Sequence, residues 1–405
     1  MISVSEAQKK ITSKMELMPP EQVPLQNAFG RVLANDIAAR RTQPPHAVSA
    51  MDGYAVRAKD VSPTPTKLKV IGHVPAGQAF EGNIGKREAV RIFTGAKIPN
   101  GADSIVIQEN TKADGTEVNI IEGQTPVGRF IRPAGLDFQE GDILIHAGKV
   151  LTARDIGLAA GMNIPWLNVR RKPRIALLAT GDEIVMQGDQ LGPNQIVSSN
   201  GPALNCFIVA LGGIPIDLGI APDTDVALRQ LAEGAKGTDM LITCGGASVG
   251  EHDLVKDVLS EIGLEIEFWR IAMRPGKPLM FGHIGQTKML GLPGNPVSAL
   301  VCATIFLRPA IETMLGIKPN KSKLEFAKLT KSLPENDDRQ DYLRASLERK
   351  KDGSLDVTPF ERQDSSIFSG LAQADALIIR EPFANRAKTG NQVPIIRLAS
   401  EKFSI

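Results

Sequence analysis

Three short segments carry residues whose types and spacing could do chemistry on a phosphorylated ligand. They are Thr180-Gly181-Asp182-Glu183, Gly245-Gly246-Ala247-Ser248-Val249-Gly250 leading through Glu251 and His252 to Asp253, and Gly291-Leu292-Pro293-Gly294-Asn295-Pro296. A glycine loop that opens a helix offers free backbone N–H groups and a positive dipole end to an anion. One helix end contributes only about 0.3–1 kcal/mol, and a hydrogen bond to a charged group roughly 1.5–3 kcal/mol. Several loops must therefore converge to hold a phosphate well. Arg274-Pro275-Gly276-Lys277-Pro278 adds two cations on a rigid turn, with Arg270 just upstream. Arginine presents a planar fork to an oxyanion, lysine a point charge.

Asp52, Asp137, Glu183, Asp223 and Asp253 all fall in loops. Carboxylates repel an oxyanion but suit a hard cation such as magnesium. They also accept hydrogen bonds from the N–H edges of a pterin or guanine ring. Carboxylates, cations and glycine amides together fit a phosphorylated heterocycle with magnesium. Each feature alone has a plainer reading: glycine and aspartate are common turn formers, and most lysines and arginines are simply solvated. None of the three loops matches the P-loop or the dinucleotide fingerprint. Residues 246–250 formally match the G-x-S-x-G of serine hydrolases at Ser248. The acid-then-histidine order is poorly supported, because the histidines are His46, His73, His146, His252 and His283, and the last sits in a strand-like run.

The elements that must position these loops alternate from residue 174 onward. The continuous apolar run 175–179 reads as a strand buried on both faces, followed by a helix at 202–211, a strand at 214–220, a helix at 226–235 and a strand at 240–243. Leu254, Val255, Val258, Leu259 and Ile262 share one helical face, two strands follow at 266–271 and 289–292, and 297–315 reads as one long buried helix. This order predicts a doubly wound α/β domain with a parallel sheet, whose ligands bind beyond the carboxyl ends of the strands. Upstream, 2–18 reads as a helix with Ser3 and Glu6 at capping-box spacing, and 52–140 reads as all-β. After Gly316 the strands return, with Asp352-Gly353 as a hairpin turn.

At 405 residues the chain exceeds what one core usually covers. A net charge of +2 and 4% aromatics leave little for sequence-independent nucleic-acid binding. Cys206, Cys244 and Cys302 form no pair or zinc spacing and are expected as buried thiols in a reducing cytoplasm. The N-terminus carries no apolar signal core, and no apolar run is expected to approach the ~20 residues that span a bilayer.

Several segments together resemble the MoeA/gephyrin E-domain family. They are SAMDGYA at 49–55, TGAKIPNGAD at 94–103, TGDEI at 180–184, GGASVG at 245–250 with Asp253, RPGKP at 274–278, and LPGNPV at 292–297. The resemblance implies four regions: an extended linker domain (1–51 with 141–172), a β-rich inserted domain (52–140), an α/β domain similar to molybdopterin adenylyltransferases (173–318) and a C-terminal β barrel (319–405). It implies a homodimer whose cleft lies between the α/β domain and the partner's β-rich region. The implied activity is that of a molybdopterin molybdenumtransferase, which takes adenylylated molybdopterin and molybdate with magnesium and releases AMP. Residue by residue, Asp52, Asp137, Glu183, Asp253 and Lys277 match catalytic positions. Thr94, Arg132, Asp223, Gly245, Gly246, Ser248, Arg270, Arg274, Pro293 and Asn295 match binding positions. Glu183, Asp253 and Asp223 are implied to handle magnesium or ring N–H groups. Lys277, Arg274 and Ser248 would hold molybdate and phosphate. Asp52 and Asp137 would come from the other subunit. A molybdopterin adenylyltransferase and apo-molybdoenzymes or cofactor carriers are the implied partners, without nucleic acid or membrane. The chain departs from the family pattern at Arg274 (usually Lys), Ala247 (usually Val) and Thr224 (usually Asp). A non-catalytic scaffold, an adenylylating paralogue and a tungstate-using enzyme remain alternatives.

Overall fold

The computed structural model describes residues 1–123, 125–245, 254–317 and 325–398. Among these, the apolar run 175–179 forms the strand Arg174–Thr180 near the centre of a six-stranded sheet. The sheet order is Ile214–Ala221, Arg174–Thr180, Met240–Cys244, Thr287–Leu292, Met280–Ile284, Leu264–Trp269. The first four strands are parallel. The sheet as a whole is mixed, which corrects the purely parallel expectation: Met280–Ile284 runs antiparallel to both neighbours. It folds back as a hairpin through the two-residue turn Gly285-Gln286, a connection that only antiparallel strands allow.

Alternate residues of the central strand serve two cores. Ile175 and Leu177 pack with Leu204, Ile208 and the helical run after Pro296. Ala176 and Leu178 pack with Leu228, Ala232, Val258 and Leu259 on the opposite face. A sheet covered by helices on both faces needs this double burial.

The segment expected as one helix over 297–315 is interrupted. It runs Pro296–Cys302, then a π turn Ala303–Leu307, then Arg308–Met314. Pro309 supplies the reason: it has no N–H to donate and its ring crowds the carbonyl four residues back, and a π turn absorbs that clash. The 19-residue run Pro296–Met314 has the length and composition of a membrane span, contrary to the sequence expectation, but its most apolar stretch is 67% buried within the protein, as in a core helix.

The first helix is Val4–Ser13, with Ser3 Oγ accepting from Glu6 N at 3.2 Å. It ends five residues before the expected end, and Pro20–Pro24 instead pairs antiparallel with Trp166–Arg170. Val4, Ala7 and Ile11 pack into the α/β core, and Gln8 Nε2 donates to Ile305 O at 2.9 Å. By its packing this helix shares the core of the α/β domain. The extended unit has its own core of Leu33, Phe138, Ile145, Leu151, Ala159 and Leu167. It includes a helix, Ala153–Gly161, whose Thr152–Asp155 capping box went unread.

The inserted β-rich unit is a six-stranded sheet in the order Ser104–Ile107, Gly53–Val56, Glu88–Ile92, Thr66–Val74, Glu117–Ile120, Thr111–Asp114. The C-terminal unit closes on itself: Gln340–Arg349, Leu355–Pro359, Glu325–Leu329, Gln392–Arg397 and Ala376–Arg380 form a ring in which the last strand pairs back to the first. The two-residue strand Met273–Arg274 of the α/β domain adds to this barrel, parallel to Gln340–Asp341.

Candidate active site

A cavity of about 1090 Å³ opens at the carboxyl ends of the parallel strands. The chain leaves Arg174–Thr180 toward one side of the sheet and leaves Met240–Cys244 toward the other. The crevice between these two strands is thus a topological switch point, where α/β sheets bind ligands. Thr180, Gly181 and Glu183 line the cavity from the first strand, Cys244 and Gly245 from the second, and Pro293, Gly294 and Asn295 from Thr287–Leu292. All three chemistry-bearing loops therefore reach one space. Gly245 has φ +96°, and a Cβ there would stand 2.5 Å from Thr180 O, so glycine alone permits the close approach of the two strand ends.

Asn200, at the start of the helix Asn200–Ala210, ties these loops together, donating to Gly294 O at 2.6 Å and to Cys244 Sγ at 3.1 Å. Burial pushes the Cys244 thiol up to about 12, which leaves it a protonated wall and not a nucleophile. Cys302 is likewise buried, but Cys206 is exposed, against the expectation of three buried thiols.

The acidic side of the mouth holds Glu183 and Asp223. Asp182 accepts from Asp223 N at 2.9 Å. Partial desolvation, followed by the charges of Asp182 and Glu183, raises the Asp223 carboxyl above the usual carboxylate range. The cationic side holds Arg274 and Lys277. The turn is closed by Ile271 N to Lys277 O at 3.0 Å and Leu279 N to Gly276 O at 3.3 Å. Lys277 has no ion-pair partner among the described residues, whereas Arg274 is engaged by Asp337 at 3.0 Å and by Asp341. Arg270 is not among the lining residues; its guanidinium stacks 4.5 Å over Trp269. Gly246, Ser248 and Asp253 lie outside the described residues.

Asp52, Thr94, Arg132 and Asp137 do not line this cavity either. They sit on or beside the β-rich unit. Gly53 pairs with Ile92 in antiparallel register, which places Asp52 and Thr94 at the same sheet end. Asp52 Oδ1 accepts from Thr94 N and Thr94 Oγ1, both at 2.8 Å. These bonds, backbone first, hold the Asp52 carboxyl below its ordinary range, with Arg91 adding to the effect. A Cβ at Gly53 would meet Val106 O at 2.0 Å, so the residue after Asp52 must be glycine to lie against its neighbour strand. Arg132 is exposed opposite Val48, and Asp137 N donates to Gln43 O at 3.0 Å, at the far end of the same segment.

With this geometry in hand, comparison with known proteins is decisive. The model of the MoeA N-terminal region (domain I and II) matches residues 2–162, that of a probable molybdopterin binding domain 176–313, and that of the MoeA C-terminal region (domain IV) 327–398. The chain belongs to the MoeA family. The molybdopterin molybdenumtransferase of Haemophilus influenzae is 34% identical over 98% of this chain and 98% of its own length. That of Bacillus subtilis is 33% identical over 100% and 95%. The solved molybdopterin biosynthesis MoeA protein of Pyrococcus horikoshii superimposes with a TM-score of 0.86 at 31% identity, over 99% of this chain and 100% of that one. Homologues with this name place the family in molybdenum cofactor biosynthesis.

The MoeA C-terminal barrel contributes residues to the cavity that sequence reasoning missed. Arg339, Gln363, Ser365 and Ser366 line it, as does Ser298 of the helix after Pro296. Asn295 Nδ2 donates to Ser365 Oγ at 2.8 Å, and Val297 N to Ser365 O at 3.2 Å. No spacing links residues 339 and 365 to the glycine loops; the pairing of Met273–Arg274 with Gln340–Asp341 and the bonds of Asn295 and Val297 to Ser365 bring them there. At one departure from the family pattern, Thr224, the hydroxyl caps the helix Asp225–Glu233 by accepting from Ala227 N at 3.4 Å. Threonine suits that position as a cap.

Proposed function

We propose that this chain is a molybdopterin molybdenumtransferase that places molybdenum from molybdate on the dithiolene of adenylylated molybdopterin, with hydrolysis of the adenylyl bond and release of AMP. The observation that carries this reading is the switch-point cavity, whose lining combines glycine loops, a lysine with no ion-pair partner among the described residues, two arginines, five serines and two carboxylates. Lys277, Ser298, Ser365 and Ser366 supply donors for oxyanions. Glu183 and Asp223 supply acceptors for ring N–H groups. Binding energy spent on the nucleotide and pterin ends would fix the phosphoanhydride and the dithiolene next to molybdate, turning an encounter of separate reactants into an oriented one.

Magnesium fits this donor set, since it is commonly held by one or two carboxylates plus substrate phosphates. Glu183 and Asp223 would hold it, with Asp253 completing the set proposed from sequence. The ion supplies neutralisation of phosphate charge as the adenylyl bond breaks.

Asp52, Thr94, Arg132 and Asp137 enter the same reading through a second copy of the chain. They form no part of the cavity of their own chain, and the extended unit exposes Phe29, Trp166, Ile143, Leu144 and Val150. Apolar side chains grouped on one unit favour self-association. A molybdopterin adenylyltransferase would supply the substrate, and apo-molybdoenzymes or a cofactor carrier would take the product. Three free cysteines fit a cytoplasmic setting.

The test is AMP release from adenylylated molybdopterin by the purified protein, with and without molybdate and magnesium, followed by reconstitution of an apo-molybdoenzyme. Molybdate-dependent release with active cofactor is expected. Pterin binding without molybdate-dependent release would replace the transferase with a carrier or scaffold.

A further inference from the structure

The cations Arg274 and Lys277 stand three residues apart on one turn and have opposite surroundings. Lys277 lines the cavity and has no ion-pair partner among the described residues. Arg274 spends its guanidinium on the barrel. Its Nη1 donates to Asp337 Oδ2 at 3.0 Å, and its Nη2 donates to Asp341 and, at 3.3 Å, to Asn336 Oδ1. The backbone beside it is fixed by the parallel pairing of Met273–Arg274 with Gln340–Asp341 and by Gln340 N to Ala272 O at 3.0 Å.

The carboxylate of Asp337 is shared. Its Oδ2 also accepts from Arg339 Nη2 at 2.9 Å, and its Oδ1 from Arg339 N at 3.0 Å. Arg339 lines the cavity from the barrel side. Asn336 is pinned in turn, donating to Arg339 O, Arg380 O and Glu381 O at 2.7–3.1 Å. Asp341 is 5% exposed, and its Oδ1 has no hydrogen-bond partner among the described residues. Arg274 is therefore the cation that compensates a buried acid, and it is not available to a ligand without leaving that acid unpaired.

We propose that Arg274 is a positioning residue and not an oxyanion ligand: through Asp337 it couples the two walls of the cleft and sets the orientation of Arg339. The inference rests on reading the cleft as the transferase site. A lysine in this place presents one point of charge and cannot span Asp341, Asp337 and Asn336 as the planar fork does.

The test compares the steady-state kinetics of R274K, D337N and the double variant with the wild type, varying molybdate and adenylylated molybdopterin in turn. A positioning role predicts that R274K, although it keeps the charge, loses about tenfold in kcat, the usual scale for one charge-assisted hydrogen bond. D337N should lose a similar factor, and the double variant should lose no more than either single change, because both break the same link. Guanidinium ion, but not ammonium, should partly restore R274A; if R274A does not fold, the near-isosteric D337N and its non-additivity with R274K carry the test. A direct ligand role predicts the reverse: R274K close to wild type, with D337N raising affinity for molybdate by freeing the cation. That pattern, or full additivity, would overturn the inference while leaving the transferase reading intact. Wild-type protein without molybdate-dependent AMP release would overturn both.

Discussion

The cleft between the α/β domain and the barrel, and the Asp52–Thr94 corner of the β-rich unit, differ in kind. The first is a cavity of about 1090 Å³ walled by backbone loops, serines, cations and two acids. The second is a single carboxylate at a sheet end, held by two bonds to Thr94 and a glycine that permits close strand packing. A walled site can bind, whereas a pinned carboxylate on an open edge can only act on something delivered to it. On the proposed reading, the contrast teaches that one chain would carry two unlike half-sites, each incomplete in a different way.

The sharpest break of that comparison is at Lys277. Lys277→Ala removes a cavity-lining cation that has no ion-pair partner among the described residues, and molybdate-dependent AMP release should fall roughly 10–100-fold, the range for losing a charged hydrogen bond. An unchanged rate would take Lys277 out of the site. Next comes a mixing experiment. Asp52→Asn and Lys277→Ala proteins, each defective alone, should recover about a quarter of wild-type activity when co-expressed in equal amounts, because half the dimers would be mixed and hold one intact site. Absence of recovery would confine both half-sites to one chain.

Gly245→Ala tests the wall itself. The added methyl must push apart the ends of two central strands and adopt φ +96°, so thermal unfolding should show a loss of about 1–3 kcal/mol. Asp223→Asn gives a smaller effect of opposite sign. Its carboxyl is raised in the folded state, so the native protein disfavours the charge wherever the unfolded chain would carry it. The variant should melt slightly higher at neutral pH, and the gain should vanish as pH falls below the usual carboxylate range near ~4. A gain that persists at acid pH would show a cause other than charge. Thr94→Val is the mildest change: it removes one of the two bonds to Asp52 and leaves the backbone bond. The Asp52 carboxyl should titrate higher, toward its ordinary range, in a carbonyl-edited NMR titration, with activity reduced only a few-fold.

Most of the cleft was legible because its loops are local in sequence. A strand, a glycine-rich turn and a helix start leave a pattern in ten residues, and three such patterns at one sheet edge converge once the alternation of elements is read. What escaped was non-local. The run around His283 reads as strand-like, but its antiparallel direction is fixed only by its hairpin partner Thr287–Leu292, and Arg339 and Ser365 carry no mark of the cavity they line. Arg274 was legible as a cation but not as a paired one, since its acids lie 63 and 67 residues downstream. The π turn Ala303–Leu307 ahead of Pro309 is hidden in the sequence by the continuous apolar period around it.

The docking of the first helix has a consequence for how the chain is made. Gln8 meets Ile305, 297 residues later, and Val4, Ala7 and Ile11 share a core with Arg308–Met314. At translation rates of roughly 5–20 residues per second, the first helix emerges some 15–60 s before the surface that receives it. During that interval the nascent chain must carry an amphipathic segment with nowhere to go, while the extended and β-rich units can already collapse on their own cores. Docking of the first helix is thus a late step of folding, which waits for the segment around Ile305 to be made.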